Sequence, residues 1–283
     1  MTAVASDVVA DPVTAVTGAR LRARFAECRA AGRAALVVYV TAGDPRGALD
    51  ETVAIVRAAA GAGADVIELG VPFSDPSADG AAIQAAMERA LAGGAGLHHA
   101  LDAVAAVRAA GCEVPVVLFG YYNPPFVMGV DAFAARAAAV GVDAVLTVDL
   151  PVDELDELRL PLAARGVGVI PLLAPTSTPD RIARVRALDP AFVYYISLTG
   201  VTGAALDGAR LSAARVTEIR AATGAPVAVG FGIKTAADAR AVGALADGVV
   251  VGSAIVARIG AAPPGGAAAA VADLVGELRA ALG

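Results

Sequence analysis

From about Arg20 onward, short runs of Val, Ile and Leu recur, each followed by a longer stretch whose apolar positions return with helical spacing. The runs predict strands over Ala35–Thr41, Asp65–Gly70, Pro115–Gly120, Asp143–Asp149, Val167–Leu172, Phe192–Leu198, Pro226–Gly230 and Gly248–Gly252. Several are continuously apolar, as strands of a parallel sheet covered on its outer face should be. Between them the spacing predicts helices such as Gly47–Ala62, Leu101–Ala110, Ala132–Val140, Asp153–Ala164, Pro179–Leu188 and Leu211–Thr223, often closed by glycine. The predicted strand ends are separated by 29, 50, 29, 23, 26, 32 and 22 residues, and six of these seven intervals suit one βα unit. The interval of 50 needs a further helix, which Ala81–Leu91 supplies. Eight such units in roughly 250 residues predict an α/β chain folded as a (β/α)8 barrel, with extra helices after the second strand and at the N-terminus. A doubly wound open sheet would carry fewer strands and a G-x-G-x-x-G turn after the first, and Thr41-Ala-Gly-Asp-Pro is not that turn. No linker splits the chain. Residues 1–18 lack a clear period and read as a loose extension, with residues 19–283 as one domain.

Composition narrows the function classes. The chain is 57% hydrophobic with a mean hydropathy of +0.67, yet it has no run of about 20 apolar residues, and much of the hydropathy is helical Ala. No basic residue precedes Arg20, so a signal peptide is not expected. A net charge of −6 and the absence of a basic stripe argue against nucleic acid. Cys28 and Cys112 are isolated, with neither metal spacing nor a disulfide framework, which suits a reduced, cytoplasmic protein. Two adjacent His, one Lys and no Trp leave little for a His triad or a multi-His metal site. His98 and His99 read as the start of a solvated helix.

In a barrel the chemistry belongs on the loops after the strands. One of these, Glu68-Leu-Gly-Val-Pro-Phe-Ser-Asp-Pro-Ser-Ala-Asp-Gly80, holds three carboxylates. Strand alternation puts Ile67 and Leu69 on the helix-covered face and Glu68, with Val66, inside. A carboxylate in the barrel mouth is desolvated and suited to proton transfer near neutral pH, unless an Arg neutralises it. Few predicted strands or strand-end loops carry an Arg. Asp79 precedes a helix start and reads equally well as an N-cap, while Asp75-Pro76, Asp44-Pro45 and Asp149 are turn formers with the same ambiguity. Gly203, Gly230-Phe-Gly-Ile and Gly252-Ser253, the last opening a short helix (Ser253–Ile259), make a phosphate cradle of backbone N–H groups, or simply tight turns. Tyr39, Phe119, Tyr121, Tyr194 and Phe231 fall in or just after strands, as core or as walls for a flat apolar substrate.

These residues resemble the tryptophan synthase alpha family. The likeness is carried by VTAGDP (Val40–Pro45), ELGVPFSDPSADG (Glu68–Gly80), Tyr121–Pro124, VDLP (Val148–Pro151), YYISLTGVTG (Tyr194–Gly203), GFGI (Gly230–Ile233) and VGSAIV (Val251–Val256), and it runs from about Leu21 to the end. It implies a lyase of tryptophan biosynthesis that cleaves indole-3-glycerol phosphate to indole and glyceraldehyde 3-phosphate by a retro-aldol reaction. On that implication Glu68 is the catalytic acid and base, and Asp79 holds the indole N–H. Thr202, Gly203, Gly232, Gly252 and Ser253 fall on phosphate and loop positions, and Tyr39, Ile83, Phe119, Leu146, Tyr194 and Phe231 on the indole pocket; Ile233 closes the GFGI run of the substrate site. The implied partner is a beta subunit in an alpha2beta2 complex, faced by Pro72, Asp75, Asn123 and Pro151. Pyridoxal phosphate would belong to that subunit, and this chain would hold no cofactor and no metal. The chain departs from the family pattern at Ala81, usually Pro, and at Phe119, often Met or Leu.

Other readings remain at this point. Retro-aldol cleavage without a Lys or metal is reasonable, because protonating indole C3 creates its own electron sink. A Schiff-base aldolase would have to use Lys234. A non-catalytic subunit is disfavoured by intact Glu68 and Asp79, and a stand-alone lyase releasing free indole fits the same residues. The Gly/Pro/Ser/Thr-rich segments Val71–Ala78 and Leu198–Asp207 are expected to act as lids.

Overall fold

The computed structural model describes residues 16–196, 212–230 and 232–283. Its strands are β1 (Ala35–Thr41), β2 (Val66–Gly70), β3 (Val116–Gly120), β4 (Ala144–Thr147), β5 (Gly168–Val169), β6 (Leu172–Leu173), β7 (Val193–Ile196), β8 (Val227–Gly230) and β9 (Gly248–Val251). All pair in parallel, in the order β5-β4-β3-β2-β1-β9-β8-β7-β6. The ends of that list are two halves of one predicted strand, Val167–Leu172. Its first half pairs with β4 and its second with β7. Between them the Ile170 N–H donates to Val145, and the Pro171 carbonyl accepts from Tyr194. Pro171 has no N–H to donate, so the ladder breaks there while the chain crosses from one neighbour to the other. The nine segments are therefore the eight strands of a closed (β/α)8 barrel.

Alternation sorts the apolar residues into two cores. Leu36, Val38, Val40, Ile67, Leu69, Val116 and Leu118 point outward under the helices. Val37, Tyr39, Val66, Val117, Phe119, Ala144, Leu146, Phe192, Tyr194, Ala228 and Val250 fill the interior. The helix Ala19–Ala30 plugs the N-terminal end of the barrel with Leu21, Phe25 and Cys28, and Phe25 stacks on Phe192 at 4.9 Å. The expected helix after β2 spans Ala81–Ala92. A helix over Asn123–Met128 and a long one over Ala267–Leu282 add to those read from spacing. The extension was drawn to residue 18, but Gly18 already donates to the Gly166 carbonyl at 3.0 Å; residues 1–15 lie outside the described set. No helix among the described residues is long and apolar enough to cross a membrane.

A recurring device fastens the N-terminal ends of three strands. Asp65, Asp143 and Asp247 each stand one residue before a strand. Each donates its N–H to a neighbouring-strand carbonyl (Leu36, Val116 and Val227) and accepts that same residue's N–H on its carboxylate, at 2.8–2.9 Å. The carboxylates are then neutralised by Arg33 and Arg279, by Arg20 and Arg108, and by Arg220. A parallel ladder leaves backbone groups unpaired where a strand begins, and burying them unpaired is costly. One Asp at each start satisfies both.

Candidate active site

Glu68 lies in the middle of β2, in register with Tyr39 of β1 and Val117 of β3. Its side chain points into the C-terminal half of the barrel and is 1% exposed. No Arg reaches it: Oε1 is buried without a hydrogen-bond partner among the described residues. Burial alone pushes its pKa up to about 8, because nothing compensates the desolvated carboxylate. Arginines do neutralise buried carboxylates elsewhere, Asp65 and Asp143 at the opposite end of the barrel and Asp44 in the loop after β1.

Aromatic rings form the walls above it. Phe119 of β3 meets Tyr39 edge-on at 5.4 Å and lies 6.5 Å from Tyr194 of β7. Two glycines make room for the tyrosines. A Cβ at Gly70 would fall on the Tyr39 hydroxyl, and one at Gly230 on the Tyr194 hydroxyl. Leu146 closes the floor, and Ile83, from the helix Ala81–Ala92, packs partly buried against the same interior. Both tyrosine hydroxyls are held protonated far above their ordinary range, chiefly by burial and then by the nearby carboxylates.

Asp79 is not the N-cap. Gly80 holds that position, and no side chain caps the helix. The Asp79 carboxylate instead accepts a 2.7 Å hydrogen bond from the Tyr121 hydroxyl, which itself accepts from the Ala78 N–H at 2.9 Å. The Tyr121 ring stacks on Phe73 at 5.0 Å, so this one side chain ties the loop after β2 to the end of β3. Burial raises the Asp79 pKa, and the Tyr121 hydrogen bond acts against that rise. Tyr121 appeared in the sequence as one of several aromatics beyond strand ends and at the head of one family run; nothing in its spacing pairs it with a residue 42 positions away.

The other loop aspartates have structural or surface roles. Asp44 is 1% exposed and takes two hydrogen bonds from Arg89 at 2.7 and 3.0 Å, joining the loop after β1 to the helix Ala81–Ala92. Asp149 accepts from the Tyr122 N–H, and Asp75 is exposed. Pro72 is buried in the isolated chain, whereas Asp75, Asn123 and Pro151 are exposed on the C-terminal loops. Phe126 and Val127, 58% and 75% exposed, stand beside Asn123 on the helix Asn123–Met128.

On the far side of the mouth, Gly252 is the N-cap of the helix Ser253–Ala261, and no side chain caps its first N–H groups. Its missing Cβ would face Tyr39 and Ile83, so the helix start opens on the same interior as Glu68. Ser253 and Gly232 are exposed there. An uncapped helix N-terminus of this kind binds a phosphate through backbone N–H groups. Ile233 differs from expectation: its side chain, 3% exposed, belongs to the outer core and not to the mouth. Gly232, at φ +74°, turns the chain away from β8 toward the helix Ala236–Gly243. Lys234 is exposed, and its backbone N–H joins the Thr235–Asp238 capping of that helix. Thr202, Gly203 and Phe231, and most of the second expected lid, lie outside the described residues.

The arrangement puts one neutral-range acid, one hydrogen-bonded carboxylate and an uncapped helix N-terminus around an aromatic-walled barrel mouth. Residues 25–281 match the family model described as tryptophan synthase alpha chain. The chain is 51% identical over 263 residues to the tryptophan synthase alpha chain of Burkholderia pseudomallei (strain 1106a), covering 93% of this chain and 96% of that one. It is 49% identical over 265 residues to the one from Alkalilimnicola ehrlichii, with the same coverage of 93% and 96%. Among solved structures it is similar to tryptophan synthase subunit alpha from Legionella pneumophila str. Paris, with a TM-score of 0.86, 36% identity and 93% and 98% of the two chains covered. It is also similar to a chain of Mycobacterium tuberculosis tryptophan synthase, with a TM-score of 0.82, 37% identity and 94% and 98% covered.

Proposed function

The chain belongs to the family of tryptophan synthase alpha chains, and we propose that it cleaves indole-3-glycerol phosphate to indole and glyceraldehyde 3-phosphate with Glu68 as acid and base. The observation that carries the roles is the buried Glu68 carboxyl, whose Oε1 has no hydrogen-bond partner among the described residues and whose pKa is pushed up to about 8. Protonated Glu68 gives its proton to indole C3. The ring becomes iminium-like, and the Asp79 carboxylate stabilises it at the N–H. The glycerol hydroxyl next to the bond then returns a proton to the Glu68 carboxylate. The carbon–carbon bond breaks and its electron pair flows back into the ring, so the glutamic acid is regenerated. The rings of Tyr39, Phe119 and Tyr194 exclude water and sandwich the indole; the start of the helix Ser253–Ala261 holds the phosphate. The reaction so written asks for no cofactor on this chain. The exposed loops at the mouth, with Asp75, Asn123, Pro151, Phe126 and Val127, suit a beta subunit that receives the indole, and a cytoplasmic location suits this biosynthetic role.

The test is indole release from indole-3-glycerol phosphate, measured with and without a tryptophan synthase beta subunit. Turnover by the chain alone, unchanged by the subunit, would favour a stand-alone lyase; no turnover in either case would overturn the reading. The same assay has an expected pH profile. Because the cycle starts from protonated Glu68, kcat/KM should fall as pH rises through about 8. It should also fall on the acid side as Asp79 takes up a proton. A profile flat through pH 8 to 10 would contradict the assignment of Glu68.

Tyr121→Phe tests the positioning of Asp79. Losing one hydrogen bond to a charged group costs about 1.5–3 kcal/mol, or at least a tenfold fall in kcat/KM. Since the Tyr121 bond opposes the rise in the Asp79 pKa, its loss should move the acid limb of the profile to higher pH. Unchanged turnover with an unmoved acid limb would show that the bond does not serve Asp79.

A further inference from the structure

The N-terminal face, opposite the mouth, carries a second concave site. A cleft of about 460 Å³ opens between the plugging helix Ala19–Ala30, the turn at Gly32, the helix Ala236–Gly243 and the end of the helix Ala267–Leu282. Its size lies in the range of small-molecule sites. Its floor is apolar, made by Phe25, Ala34, Ala246 and Leu282.

The charges at its edge are unevenly matched. Arg33 and Asp247 line the cleft, but each is already engaged. Arg33 binds both oxygens of Asp65 at 2.7 and 2.9 Å. Asp247 accepts from Arg220 and from the Val227 N–H, both at 2.8 Å. Arg29 and Arg240 are exposed at the rim and make no side-chain hydrogen bond or ion pair among the described residues. In a chain of net charge −6, two guanidinium groups without a counter-ion among the described residues share one apolar-floored cleft. A guanidinium satisfies carboxylate, sulfonate or phosphate groups well, and an apolar floor rewards a flat hydrocarbon body.

We propose that this cleft binds a small organic anion with an aromatic or other apolar body, its charged group held by Arg29 and Arg240. The site is separate from the barrel mouth and does not rest on the proposed reaction. Phe25 of its floor stacks on Phe192, two residues before Tyr194.

The test uses 8-anilinonaphthalene-1-sulfonate, an aromatic sulfonate whose fluorescence rises in apolar surroundings, titrated into the protein at low salt. One equivalent should bind, displaced by benzenesulfonate and not by indole with glycerol 3-phosphate, which occupy the mouth. R29A/R240A should weaken binding about tenfold, equal to about 1.4 kcal/mol. Ala244→Phe, which puts a ring into the cleft from its rim, should weaken it by at least as much. Both variants change exposed residues, and their far-UV circular dichroism and Tm should match the wild type, which controls for folding. No binding, equal affinity in R29A/R240A, or displacement by indole with glycerol 3-phosphate would each overturn the proposal.

Discussion

Glu68→Gln should lower turnover of indole-3-glycerol phosphate by about a thousandfold, within the range of a lost general acid–base. The amide keeps the shape of the carboxyl but can neither give nor take the proton. The same substitution should leave the barrel intact, and above pH 8 it should stabilise it. The sign follows from the raised pKa. Glu68 titrates near 8 in the fold but near its ordinary 4.5 when unfolded. Between those values the unfolded chain loses its proton first. Stability is therefore full below about 4.5 and declines as pH rises toward 8, because the fold disfavours the charged form. Glutamine has no charge to bury. Thermal unfolding at pH 9 should thus show Glu68→Gln melting above the wild type, with the order fading toward pH 5. Near-normal turnover would remove Glu68 from the chemistry. A variant less stable at pH 9 would show that the carboxylate has a partner in the fold.

Asp65→Ala should have the largest effect on stability. Asp65 is 2% exposed and takes hydrogen bonds from Arg33, Arg279 and the Leu36 N–H, with Arg24 at 3.7 Å. Its removal leaves buried donors and clustered cations without an acceptor, a loss of about 3–5 kcal/mol. For a chain of this size that corresponds to a fall in Tm of about 10 °C. Burial by itself would raise the Asp65 pKa, but the bonds from Arg33 and Leu36 outweigh it and hold the group below its ordinary value. Its contribution is present above the unfolded value near 3.8 and is lost as pH falls through the folded one. Asp65→Asn, which keeps an acceptor for Leu36, should lose less. The folded fraction of either variant should retain its kcat, because Asp65 lies at the end of the barrel away from Glu68. A Tm within about 2 °C of wild type in Asp65→Ala would mean that the arginines find other partners.

Much of this fold was readable in one dimension. The continuous apolar runs gave the strands because both faces of a barrel strand are buried. Alternation along Val66–Gly70 correctly separated Glu68 from Ile67 and Leu69, since the outer face must meet a helix. The fifth strand was read as continuous, yet its two halves serve different neighbours, and Pro171 marks the break. Ile233 was placed in the substrate site as the end of the family's GFGI run, yet its side chain packs in the outer core. Gly232, just before it, takes a positive φ of 74°, which no pattern of polarity reports.

Asp79 shows where such reading ends. Followed by glycine and a helix, it was as good a cap as a catalytic group. The fold removes the first option by giving the cap to Gly80 and the carboxylate to Tyr121, 42 residues on. The clamps at Asp65 and Asp143 have the same character: each Asp stands visibly before its strand, but their arginine partners lie up to 214 residues away. Sequence by itself therefore determined what periodicity and local backbone chemistry can encode, namely the eight βα units, the inward Glu68 and the family motifs. Only the tertiary structure decided which charges meet. Ion pairing and desolvation depend on distance through space and on exclusion of water, so Glu68 is a neutral-range acid because no arginine among the described residues reaches its carboxyl, while Asp65 is a structural anion because three do reach it at the base of the barrel.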